Sequence, residues 1–230
     1  MVDVWCLRHF FYVLLFTALL TGCKTAYVPN LLQMPLMSEG DETQVSLGMG
    51  TNGYGVQLAY SPYYHWNIIA NGAAFSVAQD TAFEKKYTQK QGEIGTGFYT
   101  RLNKFARFET IMGLGSGNAG LEKDREFYRK LFIQPAIGFS TRYIDAGVST
   151  RLTFVQHHKT RVNGSQTRIN DNGLFFEPGV MARVGYEQVK FSFQGGMSMP
   201  LVKPDLTYLR GFFGVGLHIT FAKDFERYNY

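Results

Sequence analysis

Alternation of apolar and polar side chains, sustained over about ten residues at a time, constrains this chain more than any other feature. The clearest segments are Gly92–Leu102, Leu131–Tyr143, Phe175–Tyr186 and Gly211–Phe221. A period of two is the pattern of a β-strand, and about ten residues is the length of a tilted strand that crosses a bilayer. Beyond Leu20 no apolar run approaches the roughly 20 residues of a membrane helix. If this part of the chain crosses a membrane, it crosses as strands.

The polar face of these segments is poorly suited to water. It mixes glycine with a few large charged residues, and the chain as a whole has 25 glycines and 16% aromatic residues. The outer faces of soluble strands avoid glycine and carry Lys, Glu and Thr at high density. A narrow lumen fits this composition better, and in lipid the sheet must close because open edges would leave backbone groups unsatisfied. A soluble, lipid-anchored β-barrel or sandwich remains the alternative.

The pattern predicts an all-β fold, a closed antiparallel up-and-down transmembrane β-barrel of about ten strands. Eight strands remain possible because the first two candidates are short. The candidates are Thr43–Gly50, Tyr54–Tyr60, Trp66–Val77, Gly92–Leu102, Phe105–Gly115, Lys130–Tyr143, Ile144–His157, Leu174–Tyr186, Val189–Met199 and Arg210–Phe221. Short turns alternate with long loops, as in outer-membrane barrels. The expected long loops are Ala78–Lys90, Ser116–Arg129, His158–Gly173 and Pro200–Leu209.

Two related segments, FIQPAIGFSTRY and FFEPGVMARVGY, each place a proline inside an apolar run. Proline is tolerated at strand starts and bulges. We therefore expect Pro135 and Pro178 to face outward near the starts of their strands. Tyr143 and Tyr186 follow at the other end, where aromatic residues form a belt at the membrane surface.

The N-terminus has the form of a secretory signal. Met1–Gly22 contains a short apolar core, Phe10–Leu20, after Arg8, and such a segment is removed from the mature chain. The next residues, LTGC, resemble the lipobox of bacterial lipoproteins. That resemblance implies cleavage before Cys23 and attachment of lipid, such as palmitate, to Cys23. Lys24 favours the outer membrane of the cell envelope, because retained inner-membrane lipoproteins often carry Asp there.

The resulting organisation has four parts. Residues 1–22 are the signal peptide, 23–42 a lipid anchor and linker, 43–221 the barrel and 222–230 a C-terminal tail. Cys6 leaves with the signal, so the mature chain holds one cysteine and no internal disulfide.

The last strand, GVGLHITF, resembles the C-terminal assembly signal of outer-membrane barrels. Gly216, Ile219 and Phe221 match that pattern, although a nine-residue tail follows the final aromatic residue. The mature chain, from YVPNLLQMPLMSEGD through QLAYSPYYHWNIIANG, also resembles a group of Bacteroidetes outer-membrane barrel lipoproteins. This resemblance implies the fold and the location and brings no catalytic residues with it.

If the polar face lines a lumen, its long charged side chains should pair across it, because an unpaired buried charge is costly. We expect the arginines to meet the glutamates in one charge network inside the barrel. The predicted members are Glu93, Arg101, Arg107, Glu109, Arg142, Glu177 and Arg183.

Catalysis would need a nucleophile and a base within hydrogen-bond reach. His157 and His158 lie at the outer rim, with Ser149 and Ser165 near in sequence; the simpler interpretation is a solvated pair. His65 falls in a short turn, and His218 points into the lumen as a packed polar residue. No metal spacing or phosphate loop is present. We therefore expect no catalytic residues, metal or cofactor, with a rim enzyme acting on envelope lipids as an alternative.

The net charge of +5 does not indicate nucleic-acid binding, because acidic residues are mixed among the cations. The loop cations are Lys85, Lys86, Lys90, Lys123, Arg125, Arg129, Lys159, Arg161, Arg168 and Lys203. They form either a solvated basic rim or a contact for lipopolysaccharide or an acidic glycan. We expect a monomer in contact with outer-membrane lipids, with a side-chain-filled lumen and a structural or surface ligand-contacting role. A small channel is the other alternative, although water-filled porins use 16 to 18 strands.

Overall fold

The computed structural model describes residues 27–78, 86–121, 124–160, 168–202 and 207–222. Cys23, the signal segment and most of the predicted tail lie outside these residues. The strands are β1 Glu42–Gly50, β2 Gly53–Tyr63, β3 Trp66–Ala78, β4 Lys86–Arg101, β5 Ala106–Leu121, β6 Asp124–Ser140, β7 Ile144–Thr160, β8 Arg168–Tyr186, β9 Val189–Met197, β10 Met199–Val202 and β11 Gly211–Phe221.

Antiparallel pairing closes these strands into a ten-strand barrel. Each of β1 to β8 pairs with the next, β8 pairs with β9, β9 with β11, and β11 with β1. The seam between the first and last strands joins Thr43 to Phe221 and continues to Gly50 and Gly214. The short β10 continues the line of β9 beyond Ser198 and pairs with β8. The predicted closed barrel and its ten strands are confirmed.

Several predicted loops are strand instead. The loop expected at Ser116–Arg129 is a ladder in which Ser116 pairs with Arg129 and Leu121 with Asp124. The strands β4 to β8 therefore have 16 to 19 residues, against 9 to 11 for β1, β2, β9 and β11. The backbone hydrogen bonds between strands continue past the apolar segments, because a strand accommodates exposed polar side chains as well as apolar ones.

This difference gives the barrel two unlike ends. The end where β4 to β8 project is called the long-strand end below. The opposite end, with the tight connections near His65, Lys104, Arg142 and Gln188, is called the short-turn end. Among the described residues no helix is long and apolar enough to cross a membrane.

Pro135 and Pro178 face outward, as expected, but they lie inside long strands and not near their starts. The ladder between β6 and β7 lapses at Pro135, between the pairs of Ile133 and Ala136. On β8, the pairing with β9 ends at Gly179 and the pairing with β10 begins at Phe176. Each proline, which has no N–H to donate, therefore occupies a gap in the ladder.

The two faces of the wall differ sharply. Large apolar side chains project outward on every barrel strand, including Ile94, Leu114, Leu131, Phe154 and Val180, and all of these are exposed. On β8 the outward apolar face runs from Leu174 to Val184, ten residue steps that correspond to a height of about 26 Å at the usual rise and tilt. The predicted charged face points inward, so the barrel is apolar outside and polar inside.

Candidate functional site

The interior of the barrel is occupied by the chain's own N-terminal segment, residues 27–38, called the plug below. Every plug residue is buried except Leu31, which is half-buried. Tyr27 lies at the long-strand end and Ser38 lies near the short-turn end, where β1 begins at Glu42. The sequence predicts a linker in this region, and the structure instead places the segment inside the lumen.

Tyr27 fixes the plug at the long-strand end. Its backbone N–H donates to the Thr207 carbonyl at 3.1 Å, and its carbonyl accepts from the Leu209 N–H at 3.0 Å. Its ring packs against Tyr128 and Phe175, with centroids at 5.4 and 4.9 Å. The segment before β11 therefore holds the main chain of Tyr27, and the wall holds its side chain.

Inward glycines make room for the apolar side chains of the plug. A Cβ added to Gly179 would lie 2.4 Å from Leu32 Cδ1, and one added to Gly138 would lie 2.8 Å from Leu36 Cδ1. Around these contacts, Leu32, Met34 and Leu36 form a buried cluster with Ala136, Met181 and Phe212. The glycines of the polar face thus receive the plug, where the sequence suggested space for crossing charged side chains.

Side chains of the wall satisfy the plug backbone, which pairs with no strand between Val28 and Ser38. Gln57 and Gln134 donate to the carbonyls of Leu31 and Gln33, at 3.1 and 2.7 Å. Arg183 Nη2 donates to the Met34 carbonyl at 2.7 Å. Because a buried peptide group without a partner is costly, these contacts explain how an extended segment is stable here.

One charge cluster lies toward the long-strand end and surrounds Glu93. Lys130 Nζ forms an ion pair with Glu93, and Arg151 Nη1 lies 3.1 Å from Glu93 Oε1. Arg151 also donates from Nε and Nη2 to Gln134 Oε1, at 2.9 and 2.6 Å. Asn71 donates to Glu93 Oε2 at 2.9 Å. These five residues, Asn71, Glu93, Lys130, Gln134 and Arg151, are called the upper cluster.

Glu177 is fully buried beside this cluster and is held by hydroxyl groups. Tyr27 and Ser198 donate to its Oε1 at 2.8 and 3.0 Å, and Thr153 donates to its Oε2 at 2.7 Å. The expected partner was an arginine. Three hydroxyl donors satisfy the carboxylate instead, and one of them belongs to the plug.

A second cluster lies toward the short-turn end and is built around the plug backbone. Glu109 Oε2 accepts from the Leu36 N–H at 3.0 Å, and Glu42 Oε2 accepts from the Ser38 N–H at 2.9 Å. Arg183 donates to plug carbonyls and lies 3.9 Å from Asp145, which also binds Lys190 at 2.6 Å. Glu42, Glu109, Asp145, Arg183 and Lys190 are called the lower cluster.

The buried charges balance within the part of the chain that the structure describes. Histidines apart, the buried charged residues are five acids and five bases: Glu42, Glu93, Glu109, Asp145, Glu177, Arg107, Lys130, Arg151, Arg183 and Lys190. Equal numbers of buried acidic and basic side chains reduce the large self-energy of uncompensated buried ions.

Two predicted members of the lumen network lie elsewhere. Arg142 follows β6 in a turn, is about one-third exposed, and pairs with Glu187 at 2.8 Å. Arg101 ends β4 at the rim and lies 3.7 Å from the partly exposed Glu39. Both therefore lie at the rim of the short-turn end and outside the buried network. Glu93, Arg107, Glu109, Glu177 and Arg183 are buried inside, but they are divided among separate groups.

Arg107 donates hydrogen bonds to backbone carbonyls. Its Nη1 lies 3.2 to 3.4 Å from the carbonyls of Asn103, Lys104 and Ala106, all of which belong to the turn before β5 and its first residue. The guanidinium group of Arg107 is therefore buried at the short-turn end, against the turn that precedes β5.

The histidine side chains that the structure describes do not form a triad. His157 is buried with Nε2 3.0 Å from Glu126 Oε2. His218 contacts the hydroxyls of Ser46 at 2.8 Å and Thr220 at 3.2 Å, and His65 contacts the Tyr99 carbonyl at 2.8 Å. None of these three combines a hydroxyl and a carboxylate. Ser165 lies outside the described residues, as do the side-chain contacts of His158.

Two small cavities lie beside the plug. One cavity, lined by Asn30, Asn52 and Gln194 among others, has a volume of about 30 Å³. Another, lined by Leu36, Glu42 and Arg183 among others, has the same volume. Each has room for one or two water molecules. No group of three or more metal-ligating side chains occurs among the described residues.

The sequence interpretation missed the plug, and it missed Lys130 and Asp145 as interior partners. The sequence of the polar face does indicate that the lumen is filled. Tyr99, Phe132, Phe175 and Phe212 point inward and are buried, and aromatic rings of this size are unexpected in a lumen filled with water. Such residues indicate that something apolar fills the barrel.

No protein-family model and no curated protein sequence matches the chain. Solved structures of bacterial outer-membrane proteins do resemble it. The N-terminal β-barrel domain of Pseudomonas aeruginosa OprF has 12% identity and a TM-score of 0.38, covering 80% of this chain and all of the other. The outer membrane enzyme PagL has 9% identity and a TM-score of 0.34, covering 79% of this chain and 99% of the other.

The attachment invasion locus protein Ail of Yersinia pestis is similar to the same degree. It has 11% identity and a TM-score of 0.35, and the match covers 79% of this chain and 99% of Ail. These three proteins include an enzyme and proteins not described as enzymes. At such low similarity nothing about role passes from them to this chain.

Proposed function

We propose that this protein is an outer-membrane barrel lipoprotein whose lumen is closed by its own N-terminal segment, with a structural or surface-contacting role. The observation that carries this proposal is the distribution of side chains across the wall. Charged and hydrogen-bonded groups lie inside, and an apolar band about 26 Å tall lies outside. That height matches the outward apolar band of transmembrane barrels, about 25 Å.

The same band argues against the soluble alternative. The largest apolar patch on a soluble monomer covers a few hundred Å². Here exposed Leu, Ile, Val, Phe and Met side chains project from all ten strands of the barrel wall. Trp66, Tyr143 and Tyr186 are exposed near the short-turn end, where aromatic residues suit a membrane surface. By the usual arrangement of such barrels, the short-turn end faces the periplasm.

A structural or contacting role is favoured over a channel because the lumen is filled. The plug runs through it, the cavities beside the plug are about 30 Å³ each, and the buried charges balance. A rim enzyme receives no support from the described histidines, since none joins a hydroxyl to a carboxylate. Membership in the Bacteroidetes group of barrel lipoproteins remains a prediction.

Labelling of single-cysteine variants tests the placement in the membrane. We expect Val180→Cys and Ile137→Cys, which carry their side chains outward, to contact a lipid-soluble relaxation agent strongly. Met181→Cys points inward beside the plug and is the matched control, with weak contact. Lipid contact at Met181 equal to that at Val180, or none at either outward position, would reject the proposal.

The position of Tyr27 constrains where a lipid on Cys23 can lie. Four residue steps separate Cys23 from Tyr27, a reach of at most about 14 Å. The short-turn end is about 26 Å from the level of Leu174, which lies beside Tyr27's partner Phe175. We therefore propose that the acyl chains enter the leaflet at the long-strand end, which is the cell-surface leaflet.

Palmitate labelling tests the lipidation itself. Cys23→Ala should abolish incorporation of labelled palmitate and leave unprocessed precursor, whereas Cys6→Ala should change neither because Cys6 lies in the signal segment. Persistent labelling of Cys23→Ala would refute lipidation of Cys23 and would leave the proposed placement of the barrel in the membrane unaffected.

A further inference from the structure

On the outer surface of β4 to β7, the outward side chains change from apolar to polar between two neighbouring rows. One row of outward residues is apolar, with Ile94 paired to Leu114, Leu114 to Leu131, and Leu131 to Phe154. The next row toward the long-strand end is small or polar: Gly92 pairs with Ser116, Ser116 with Arg129, and Arg129 with Gln156. The boundary between these rows is where the apolar band ends.

A depression follows this boundary because Gly92 and Ser116 are small. Its open volume is about 840 Å³, and its lining includes Ile94, Leu114, Leu131, Phe154 and Arg129. The Glu93 and Lys130 side chains behind this wall are completely buried, so the open volume lies on the outer surface.

A second depression continues the first toward the long-strand end. It has a volume of about 580 Å³, shares Gly92, Ser116 and Arg129 with the first, and adds Lys90, Asn118 and Phe127. Together they form one groove, called the outer groove below, which is apolar at one end and basic at the other.

Two cations lie at the basic end of the outer groove. Lys90 and Arg129 both point outward, and neither forms an ion pair with a carboxylate among the described residues. Their Cα atoms are separated by two inter-strand spacings and by two residues along the strand, a distance of about 12 Å. Two long side chains can close that distance onto one anion, and Arg129 offers the planar donor geometry that suits phosphate.

We propose that the outer groove binds a phosphate-bearing lipid of the cell-surface leaflet. The phosphate contacts Arg129 and Lys90, Ser116 and Gln156 supply hydrogen bonds beside it, and an acyl chain lies along Ile94, Leu114 and Leu131. The charge of the phosphate complements the two cations, and the apolar row begins where an acyl chain would continue. This inference depends on the proposed membrane placement.

Spin-labelled lipids test the proposal on the full chain reconstituted in phosphatidylcholine vesicles. We expect labelled phosphatidic acid to associate at least threefold more strongly than labelled phosphatidylcholine. Replacing both cations, Lys90→Gln with Arg129→Gln, should reduce this ratio to about one. Arg210→Gln is the matched control, because Arg210 is exposed near the same end on the far wall, and it should leave the ratio unchanged.

A second variant distinguishes the effect of the groove's shape on lipid association from the effect of its two cations. A Cβ on Gly92 would meet only the Asn71 carbonyl oxygen, at an ordinary 3.7 Å, so Gly92→Leu should fold. It fills the groove and keeps both cations. We expect it to lower the ratio by more than half.

Each of the remaining outcomes would contradict the proposal for a different reason. Equal association of the two lipids, or a full ratio in Gly92→Leu, would show that the groove does not select lipid. Displacement by millimolar inorganic phosphate would assign the cations to a free anion. A dimer that dissociates in Gly92→Leu would assign the groove to a second copy. Absence of any immobilised lipid would instead reject the membrane placement.

Discussion

The upper and lower clusters contain similar residues but depend on the plug to different degrees. In the upper cluster, Glu93 binds Lys130 and Arg151 directly, and all three belong to barrel strands. In the lower cluster, Glu109 and Arg183 make their closest hydrogen bonds to the plug backbone, at Leu36 and Met34. Charges in the upper cluster are thus neutralised by the wall, whereas those in the lower cluster are neutralised partly by peptide dipoles.

The comparison shows two ways of making a filled lumen stable. Direct ion pairs tie one strand to another and would persist if the plug moved. Bonds from wall side chains to plug peptides tie the segment to the barrel, so the wall and the plug stabilise each other. We expect loss of upper-cluster charges to weaken the barrel, and loss of lower-cluster charges to release the plug as well.

The largest expected effect comes from Glu93→Ala. This variant leaves Lys130 and Arg151 buried without their carboxylate, which should lower the free energy of unfolding by about 3–5 kcal/mol. Urea unfolding of the reconstituted barrel measures the change. The control is Glu39→Ala, which removes a partly exposed partner of Arg101 and should cost at most about 1 kcal/mol. Equal losses in the two variants would contradict the burial of the upper cluster.

Arg183→Met should cost less and act at a different place. It removes donors to the plug carbonyls, at about 1.5–3 kcal/mol for hydrogen bonds to a charged group. Hydrogen exchange at the Leu36 amide should quicken markedly, because that amide lies beside the lost contacts.

Arg151→Met supplies the contrast for this experiment. It destabilises the wall from the upper cluster, and Leu36 exchange should stay close to that of the unmodified protein under native conditions. If both variants quicken Leu36 exchange equally, the two clusters are not distinct in the way described.

Gly179→Ala should have a smaller effect that depends on the plug. The added methyl group would lie 2.4 Å from Leu32 Cδ1, and crowding of this kind costs about 1–3 kcal/mol when neighbours shift. Combining it with Leu32→Ala should recover part of the loss, as a coupled pair in a double-mutant cycle. Gly92→Ala, on the outward face, should change the free energy of unfolding by less than about 0.5 kcal/mol. Additive costs for the Gly179 and Leu32 variants would mean that the two residues do not touch.

Much of the barrel could be predicted because each strand carries its own information. Alternation assigns each residue to a face independently of the rest of the chain, so Val180 outward and Arg183 inward follow from local sequence. Strand ends were less predictable. Ser116 and Arg129 look like loop residues, yet they pair in a ladder that extends beyond the apolar band.

The plug could not be predicted because its burial depends on residues far away in sequence. The segment from Tyr27 to Ser38 has no sustained period of two or 3.6, and its backbone partners, such as Gln134 and Arg183, lie more than 100 residues later. The partners of the inward charges could not be predicted for the same reason. Alternation gives the face of Glu177, but not that Tyr27, Thr153 and Ser198 would meet it.

The continuity of the plug with β1 has a consequence for how the molecule is made. β1 pairs with β11, so the barrel closes only after the last strand has been delivered, with Thr43 meeting Phe221 across nearly the whole chain. The seam has eight residue pairs, and the plug directly precedes β1, so the plug and the first strand of the seam belong to one continuous segment. We therefore expect the plug to dock as the seam forms, and closure, the pairing of greatest sequence separation, to be the slowest step.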